Sequence, residues 1–406
     1  MEIAKTMKLH LHTDKDTDQL FKELTERYAS ACNMISKYVF DHGFVLNFIK
    51  LQESLYQTVR KDYGLKSQMS ISCFKTVTAR YKTVQEQLKQ KPFKYQNTNG
   101  KWRYIRRTLE WLWKPVYFKR PQADLVRNRD YSFVKDGLSL NTLQHRVVVG
   151  FDVPEYFKSY FDGTWKFGTG KLVSLNGDWY FHIPMTKAVS DTFDPSMPKH
   201  VVGIDRGLRF VAVTYDEKHK TRFYDGKTLM AKRDTFAAVR AQLQSKGTKS
   251  AKRVLKRLSG RENRWMADVN HQLSKTLIRT YGKDTLFVLE DLKGVSFAEE
   301  NNHTSKQQRS HLHRWTFYQF EQFLKYKAKE NGSDVIKVNA AYTSQRCPRC
   351  GRIHKENRDH TRHLYICDHC GYRSNDDRIG AMNIQLLGTL FVSGDAHPRF
   401  GVRKTT

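Results

Sequence analysis

Nowhere does this sequence hold an apolar run approaching the ~18–20 residues that cross a bilayer, which disfavours membrane attachment. Its opening, MEIAKTMKLHLHTDKD, lacks the apolar core of a secretory signal. Cysteine is scarce, six in 406 residues, and four of the six fall in two CxxC pairs. That usage suits a reducing cytoplasm, with the isolated Cys32 and Cys73 read as buried thiols. No internal repeat is evident. Acid is short as well: 41 Asp and Glu against 71 Lys and Arg leave a formal charge of +30. The excess is spread along the chain rather than gathered in a tail. A polyanion is its natural partner, because each neutralised phosphate releases condensed counterions.

The length allows two or three domains. From Thr17, a candidate cap, the residues Leu20, Leu24, Tyr28, Ala31, Ile35 and Val39 recur at helical steps. Helical sequence runs to about Gln90, with breaks at Gly43 and Tyr63-Gly64, and its apolar stripe reads as ordinary core. Between Phe93 and Lys187 short β-type runs such as RVVVGFDV and WYFHIPM predict a small sheet or barrel. Within 101–120, seven basic residues interleave with the aromatics Trp102, Tyr104, Trp111, Trp113, Tyr117 and Phe118. Basic heads over π faces suit backbone contact and base stacking. For any single aromatic, core packing is the favoured reading. The main boundary is expected at SDTFDPSMPKH, residues 190–200. Beyond it strands alternate with long helices, the pattern of an α/β domain.

Three acids follow in order. VVGIDRGLRFVAVTYD reads as a hairpin with Asp205 on its first strand and a turn at Gly207. Asp152 follows a similar run, but Pro154 prevents the same turn. Glu290 ends the buried-type run at 286–289, with Asp291 next. Asp376-Asp377 opens a predicted helix, RIGAMNI, whose N-terminus would welcome negative charge in any case. An acid on a first strand, another on a later strand and a third on a C-terminal helix is the arrangement of an RNase H-like fold. Several hard oxygen ligands converging on two metals are what two-metal phosphodiester hydrolysis requires.

Cys347-x2-Cys350 and Cys367-x2-Cys370, sixteen residues apart, fit a four-cysteine zinc ribbon. His354, His360, His363 and His369 lie nearby, but four thiolates already close the shell. Such a Zn2+ would be structural. The stretch 246–264 carries eight basic residues and one acid and reads as a helix broken at Gly260. Lys252, Arg253, Lys256 and Arg257 are the candidate phosphate contacts there, with Arg106 and Arg107 in the aromatic region. The segment 315–329 reads as a core helix.

The ordered set GIDRG, LEDL, YTSQRCPRCG, CDHCGY and NDDRIGAMNI resembles the TnpB family of transposon-encoded, RNA-guided DNA endonucleases, and their relatives the miniature type V CRISPR effectors. The resemblance covers residues 200–386 closely and the N-terminal half in outline. It implies an α/β nuclease domain of RNase H-like (RuvC) type with an inserted zinc ribbon, beside an N-terminal helical recognition lobe and a small β-barrel. The expected division is 1–14 as the first strand of a wedge β-barrel, 15–92 as the recognition lobe and 93–190 as the rest of the barrel. It continues with 191–342 as the first part of the nuclease, 343–374 as the ribbon, and 375–406 as the second part with a tail. The implied catalytic and Mg2+-binding residues are Asp205, Glu290 and Asp377, with Mn2+ as a possible substitute. Asp377 is chosen because the family pattern D-x-N-A-A-x-N-I aligns with Asp377, Ala381, Asn383 and Ile384. Ile379 and Gly380 depart from that pattern, and Arg206 is less usual after the first acid. The implied partners are a guide RNA and double-stranded target DNA, no membrane, and a monomer with its RNA in a prokaryotic, nucleoid-associated setting. Rival readings are a compact CRISPR effector, a guide-dependent repressor that does not cut, and a DNA-joining transposase.

Overall fold

The computed structural model describes residues 2–189, 193–207, 209–292, 317–359 and 361–401. His360 and Trp315 lie outside the described residues, as do Ser190, Asp191 and Thr192 of the expected boundary. The chain divides into two compact units, Glu2–Ala188 and Val189 onward.

In the first unit, β1 (Glu2–His12) leads into helices α1 (Lys15–Asp41), α2 (Phe48–Tyr63) and α3 (Ser67–Lys89). A hairpin follows, β2 (Phe93–Gln96) and β3 (Trp102–Ile105), and then β4 (Gln122–Leu125), β5 (Tyr131–Val134), β6 (Gly137–Asn141) and β7 (Arg146–Asp152). A single turn, α4 (Glu155–Lys158), precedes β8 (Lys166–Phe167), β9 (Gly170–Leu175) and β10 (Asp178–Ala188). All of these strands but β2 and β3 form one sheet in the order β4-β9-β10-β1-β7-β6-β5, with β8 on β10. β1 pairs with β10 from Glu2↔Ala188 to Leu11↔Trp179, so the chain's first strand lies beside the last strand of its unit. Alternation along β1 buries Ile3, Met7, Leu9 and Leu11.

The helical reading needs one correction at its start. Asp14, not Thr17, caps α1, accepting the Thr17 N–H at 2.8 Å. An aspartate can satisfy an orphan N–H from just outside the helix, so Thr17 lies inside the first turn. The buried stripe is Phe21, Leu24, Tyr28, Ala31, Cys32, Ile35 and Val39, facing Cys73, Phe74 and Val77 of α3. Both isolated cysteines are buried.

The second unit is built on a five-stranded sheet, β13-β12-β11-β14-β15. Its members are β11 (His200–Asp205), β12 (Phe210–Tyr215), β13 (Thr221–Asp225), β14 (Thr285–Glu290) and β15 (Asp334–Val338). The first three run antiparallel, while β11, β14 and β15 are parallel neighbours. Between β13 and β14 come α5 (Lys227–Lys246) and α6 (Lys249–Tyr281); α7 (Phe317–Glu330) precedes β15. A three-stranded element, β16 (Arg358–Asp359), β17 (Leu364–Ile366) and β18 (Arg373–Asn375), leads into α8 (Asp376–Val392).

Strand alternation decides what lies on each face. Val202, Ile204, Phe287 and Leu289 point to Leu273 and Leu277 of α6 and to Phe320, Leu324 and Ala328 of α7. Val201, Leu286 and Val288 point to Ile384 and Leu387 of α8. A strand covered on both faces must read as a continuous apolar run, and VVGI and TLFVL do. The expected break at Gly260 is absent, since α6 is continuous for 33 residues. The interruption is at Gly247, whose φ of 63° ends α5, and Thr248 then caps α6 by accepting the Ala251 N–H. A helix-interior glycine costs only about 1 kcal/mol, too little to break a helix of strong formers.

Candidate active site and metal centre

Asp205 and Glu290 are the last residues of adjacent parallel strands whose register pairs Ile204 with Leu289. Their side chains therefore leave the sheet at the same end. Asp377 comes from the first turn of α8, which Asn375 caps by accepting the Arg378 N–H at 3.1 Å. That helix lies on β11 closely enough that a Cβ on Gly203 would stand 2.3 Å from the Ala381 carbonyl oxygen. A Cβ on Gly380 would meet the Asp205 carboxylate at 2.7 Å. The sequence departure at 380 thus leaves room for Asp205 against the helix, and Ile379 is buried among the cysteines discussed below.

The three acids form one electrostatic group. Burial, then the charges of Glu290 and Asp377, push the Asp205 carboxyl well above the usual carboxylate range. Burial also raises Glu290, against a hydrogen bond from Thr343 and the charges of Arg206 and Arg358. Asp377 is raised by burial and by Asp376, and Arg358 opposes the shift. Their oxygens do not close to within 4.8 Å of one another, as those of Asp376 and Asp377 do with a His363 ring nitrogen. A partly enclosed set of three carboxylates, held raised despite Arg206, Arg209 and Arg358, is the donor set that suits a hard divalent cation.

The neighbouring acids separate cleanly. Asp376 is buried, accepts Arg358 Nε at 3.0 Å and lies 3.6 Å from His363 Nδ1, so it anchors β16 and β17 to α8. Asp377, not Asp376, is the member whose charge acts on Asp205. Asp152 belongs to the first unit, where His10 Nδ1 and His12 Nε2 each stand 2.9 Å from one of its oxygens. Asp291 lies 3.6 Å from Lys337 at the start of the next loop.

Four supporting residues escaped the sequence reading as contributors. Thr343 donates its hydroxyl to Glu290 Oε1 at 2.5 Å. Arg358 reaches both Asp376 and Asp377, at 3.0 and 3.5 Å. Arg206, singled out only as unusual, is buried; its guanidinium donates to the Glu290 carbonyl at 2.6 Å and pairs with Glu321 at 3.7 Å. Asn383, noted only for its place in a pattern, donates to the carbonyls of Thr343 and Arg346 at 2.8 Å, tying the root of the cysteine element to α8. Thr343 and Arg358 sit in polar, basic stretches that give no signal on their own.

Cys347, Cys350, Cys367 and Cys370 bring their sulfurs together within 4.8 Å. The Cys347–Cys370 and Cys350–Cys367 pairs are both 3.6 Å apart. A disulfide would hold them at about 2 Å. Tetrahedral zinc with sulfur at about 2.3 Å sets an edge of about 3.8 Å. The cluster is therefore compatible with a zinc site. Among the described residues no histidine joins it: His354 faces Asp368, His363 faces Asp376, and His369 is exposed. Tyr365, Ile379 and Met382 pack around the sulfurs, so the cluster shares its small core with α8.

Lys252, Arg253, Lys256 and Arg257 are all exposed, and their one-turn spacing sets two pairs along α6. Arg106 is exposed, while Arg107 is half-buried and donates to the Lys91 carbonyl. The aromatics overturn the core reading. Trp102, Tyr104, Trp111, Trp113 and Tyr117 are exposed, and only Phe118 is partly covered. The unit's core is already filled by the aliphatic and aromatic residues of its sheet and of α1–α3, and of 91–120 only Leu109 is buried in it.

Two family models match the sequence. Residues 182–295 match "Probable transposase", and residues 317–384 match "Cas12f1-like, TNB domain". The chain is a relative of the TnpB-like and Cas12f1 proteins. It is 29% identical over 265 residues to the TnpB-like protein MJ0751 of Methanocaldococcus jannaschii, covering 63% of this chain and 91% of that one. It is 27% identical to a CRISPR-associated endodeoxyribonuclease Cas12f1 of Syntrophomonas palmitatica, covering 57% of this chain and 48% of the relative. Against the putative RNA-guided DNA endonuclease InsQ of Escherichia coli it is 30% identical, covering 52% and 54%. The chain thus spans about half the length of the latter two relatives. Its fold is that of the protein in a cryo-EM structure of a Cas12f1–sgRNA–target DNA complex, with a TM-score of 0.59 at 11% identity over 95% of this chain and 99% of that one.

Proposed function

We propose that this chain is an RNA-guided DNA endonuclease: it holds a guide RNA derived from a transposon end and hydrolyses complementary DNA beside a short flanking motif. The observation that carries this reading is the meeting of Asp205, Glu290 and Asp377, from two strands and a distant helix, in one partly enclosed place that raises all three carboxyls. Asp205, Glu290 and Asp377 would hold Mg2+, which when bound supplies polarisation of a phosphoryl oxygen and a more acidic water, Mn2+ serving in its stead. The remaining work belongs to the protein. Thr343 fixes one oxygen of Glu290, Arg206 holds the end of β14 through the Glu290 carbonyl, and Arg358 pairs with one oxygen of Asp377.

In this reading residues 191–342 and 375–406 form a RuvC-type nuclease, and 343–374 a Zn2+-held ribbon that touches target nucleic acid. Residues 15–92 act as the recognition lobe, with 1–14 and 93–190 as a barrel that holds RNA. Lys252, Arg253, Lys256, Arg257, Arg106 and Arg107 contact phosphates. The complex is one chain with one RNA, working in a prokaryotic cytoplasm at the nucleoid. Base pairing reads the sequence, and the protein reads duplex shape and the flanking motif.

A compact CRISPR effector with the same chemistry is the second reading, favoured by the Cas12f1-like match over 317–384. Sequencing the RNA that co-purifies with the protein separates them. Transposon-end sequence is expected, and repeat-derived RNA beside a neighbouring repeat array would favour the second. The same RNA then programmes the test of activity, Mg2+-dependent cleavage of a plasmid library with randomised flanks. Binding without cutting would leave a repressor, and strand joining without a guide would leave a transposase.

A further inference from the structure

The β2–β3 hairpin has no place in the surrounding architecture. It pairs with no third strand among the described residues, and all eight of its residues are exposed. Register sets Phe93 opposite Ile105 and Tyr95 opposite Arg103 on one face, with Tyr104 opposite Lys94 and Trp102 opposite Gln96 on the other. Trp102 and Tyr104 are 59% and 61% exposed, and beyond the hairpin Trp113 and Tyr117 are 82% and 73% exposed. An isolated two-stranded hairpin is marginal in water, and so much open aromatic surface marks a contact site.

We infer that this hairpin and the following segment to Arg120 form a stacking platform for unpaired nucleotides of the bound RNA. Charge narrows the occupant: residues 91–120 carry nine Lys and Arg and a single acid, Glu110. Lys94 lies over the Tyr104 ring at 5.5 Å and Lys114 over the Trp113 ring at 4.2 Å, so cations are interleaved with π faces. Lys94, Lys101, Arg103, Arg106 and Lys114 have no ion-pair partner among the described residues. A second copy of this chain would set positive charge against positive charge, whereas a polyanion with splayed bases meets both features. A paired duplex offers phosphates but no free base faces along its length. RNA is preferred to a displaced DNA strand because that strand exists only once a target has been opened, while the platform needs cover before then. This choice rests on the proposed RNA-guided function.

Full-length protein freed of RNA at high salt, titrated with labelled rU20, dT20 and a 20-base-pair RNA duplex, tests the inference. Tryptophan fluorescence should quench on rU20. Trp113→Ala, and separately Trp102→Ala/Tyr104→Ala, should weaken rU20 by about 5- to 150-fold per stacked base, as the loss of stacking implies. Their dependence on salt should stay that of the wild type, since no charge is removed, and Trp113→Phe should restore affinity. Unchanged melting temperature is expected of substitutions at such exposed positions. Unaltered rU20 affinity would overturn the inference, as would an equal loss on the duplex or a preference for dT20. Reduced self-association by light scattering with rU20 binding intact would hand the patch to a second copy. Cleavage measured in parallel keeps the two claims apart. A cutting enzyme indifferent to these variants sinks the platform alone, while an inactive one whose rU20 binding needs the aromatics sinks the nuclease reading alone.

Discussion

Gly203 and Gly380 hold the same helix against the same strand but differ in what a methyl group would strike. At Gly203 it meets α8 backbone, the Ala381 oxygen and the Gln385 nitrogen, at 2.3 and 2.4 Å. At Gly380 it meets the free end of the Asp205 side chain, which can rotate. Gly203→Ala should therefore destabilise the second unit by about 1–3 kcal/mol, the ordinary penalty of overpacking, and Gly380→Ala by visibly less. The ordering of their thermal midpoints checks the helix placement. Asp376 offers a second contrast. It was legible in sequence only as the twin of Asp377, because adjacent acids at a helix start look alike until a partner is known. Its buried contacts with Arg358 and His363 make it structural. Asp376→Ala should lower stability by about 1–3 kcal/mol by removing the buried partner of Arg358 Nε and His363, with Asp376→Asn partly restoring it; a melt as stable as wild type would contradict this.

Among elements, α6 and the cysteine cluster make separable predictions. Exposed basic residues a turn apart on α6 should each release counterions on meeting a phosphate. For Lys252→Ala/Arg253→Ala the slope of log K against log salt should fall by ~0.7–0.9 for every phosphate no longer neutralised, and an unchanged slope would return these residues to solvent. That 246–264 is helical was legible, but where the break falls was not. Gly260 and Gly247 are equivalent letters, and only the φ of 63° at Gly247 distinguishes a terminus from an interior position. The cysteine spacing was legible because a tetrahedral shell needs four thiolates in two tight pairs. That Ile379 and Met382 share the cluster's core was not, since it depends on how α8 returns to the ribbon. Purified protein should carry about one zinc, and Cys347→Ser should lower the thermal midpoint of the second unit; no bound zinc together with an unchanged melt would remove the metal from the account.

At the scale of the molecule, the order of the acids and their places on strand, strand and helix could be read because each is a local event: an apolar run ending in a carboxylate, or a pair of acids at a helix start. Thr343 and Arg358 could not, because their roles arise only when the loop after β15 and the ribbon fold back onto residues 50 or more, and some 20, positions away. The exposed aromatics could not either, since composition does not say which side of a chain faces water. The central claim is that three carboxylates cut and do not bind. Three negative charges beside a phosphate repel it, so removing one should leave target affinity equal or slightly tighter. The measurement is guide-dependent binding and cleavage of one matched plasmid by wild type and by Asp205→Ala, Glu290→Ala and Asp377→Ala, in chelator and in Mg2+. The account predicts Mg2+-dependent cutting by the wild type alone, with all four proteins bound to the target. Cleavage by the Asp377→Ala protein, or a wild type that binds its target in Mg2+ and never cuts it, would contradict it.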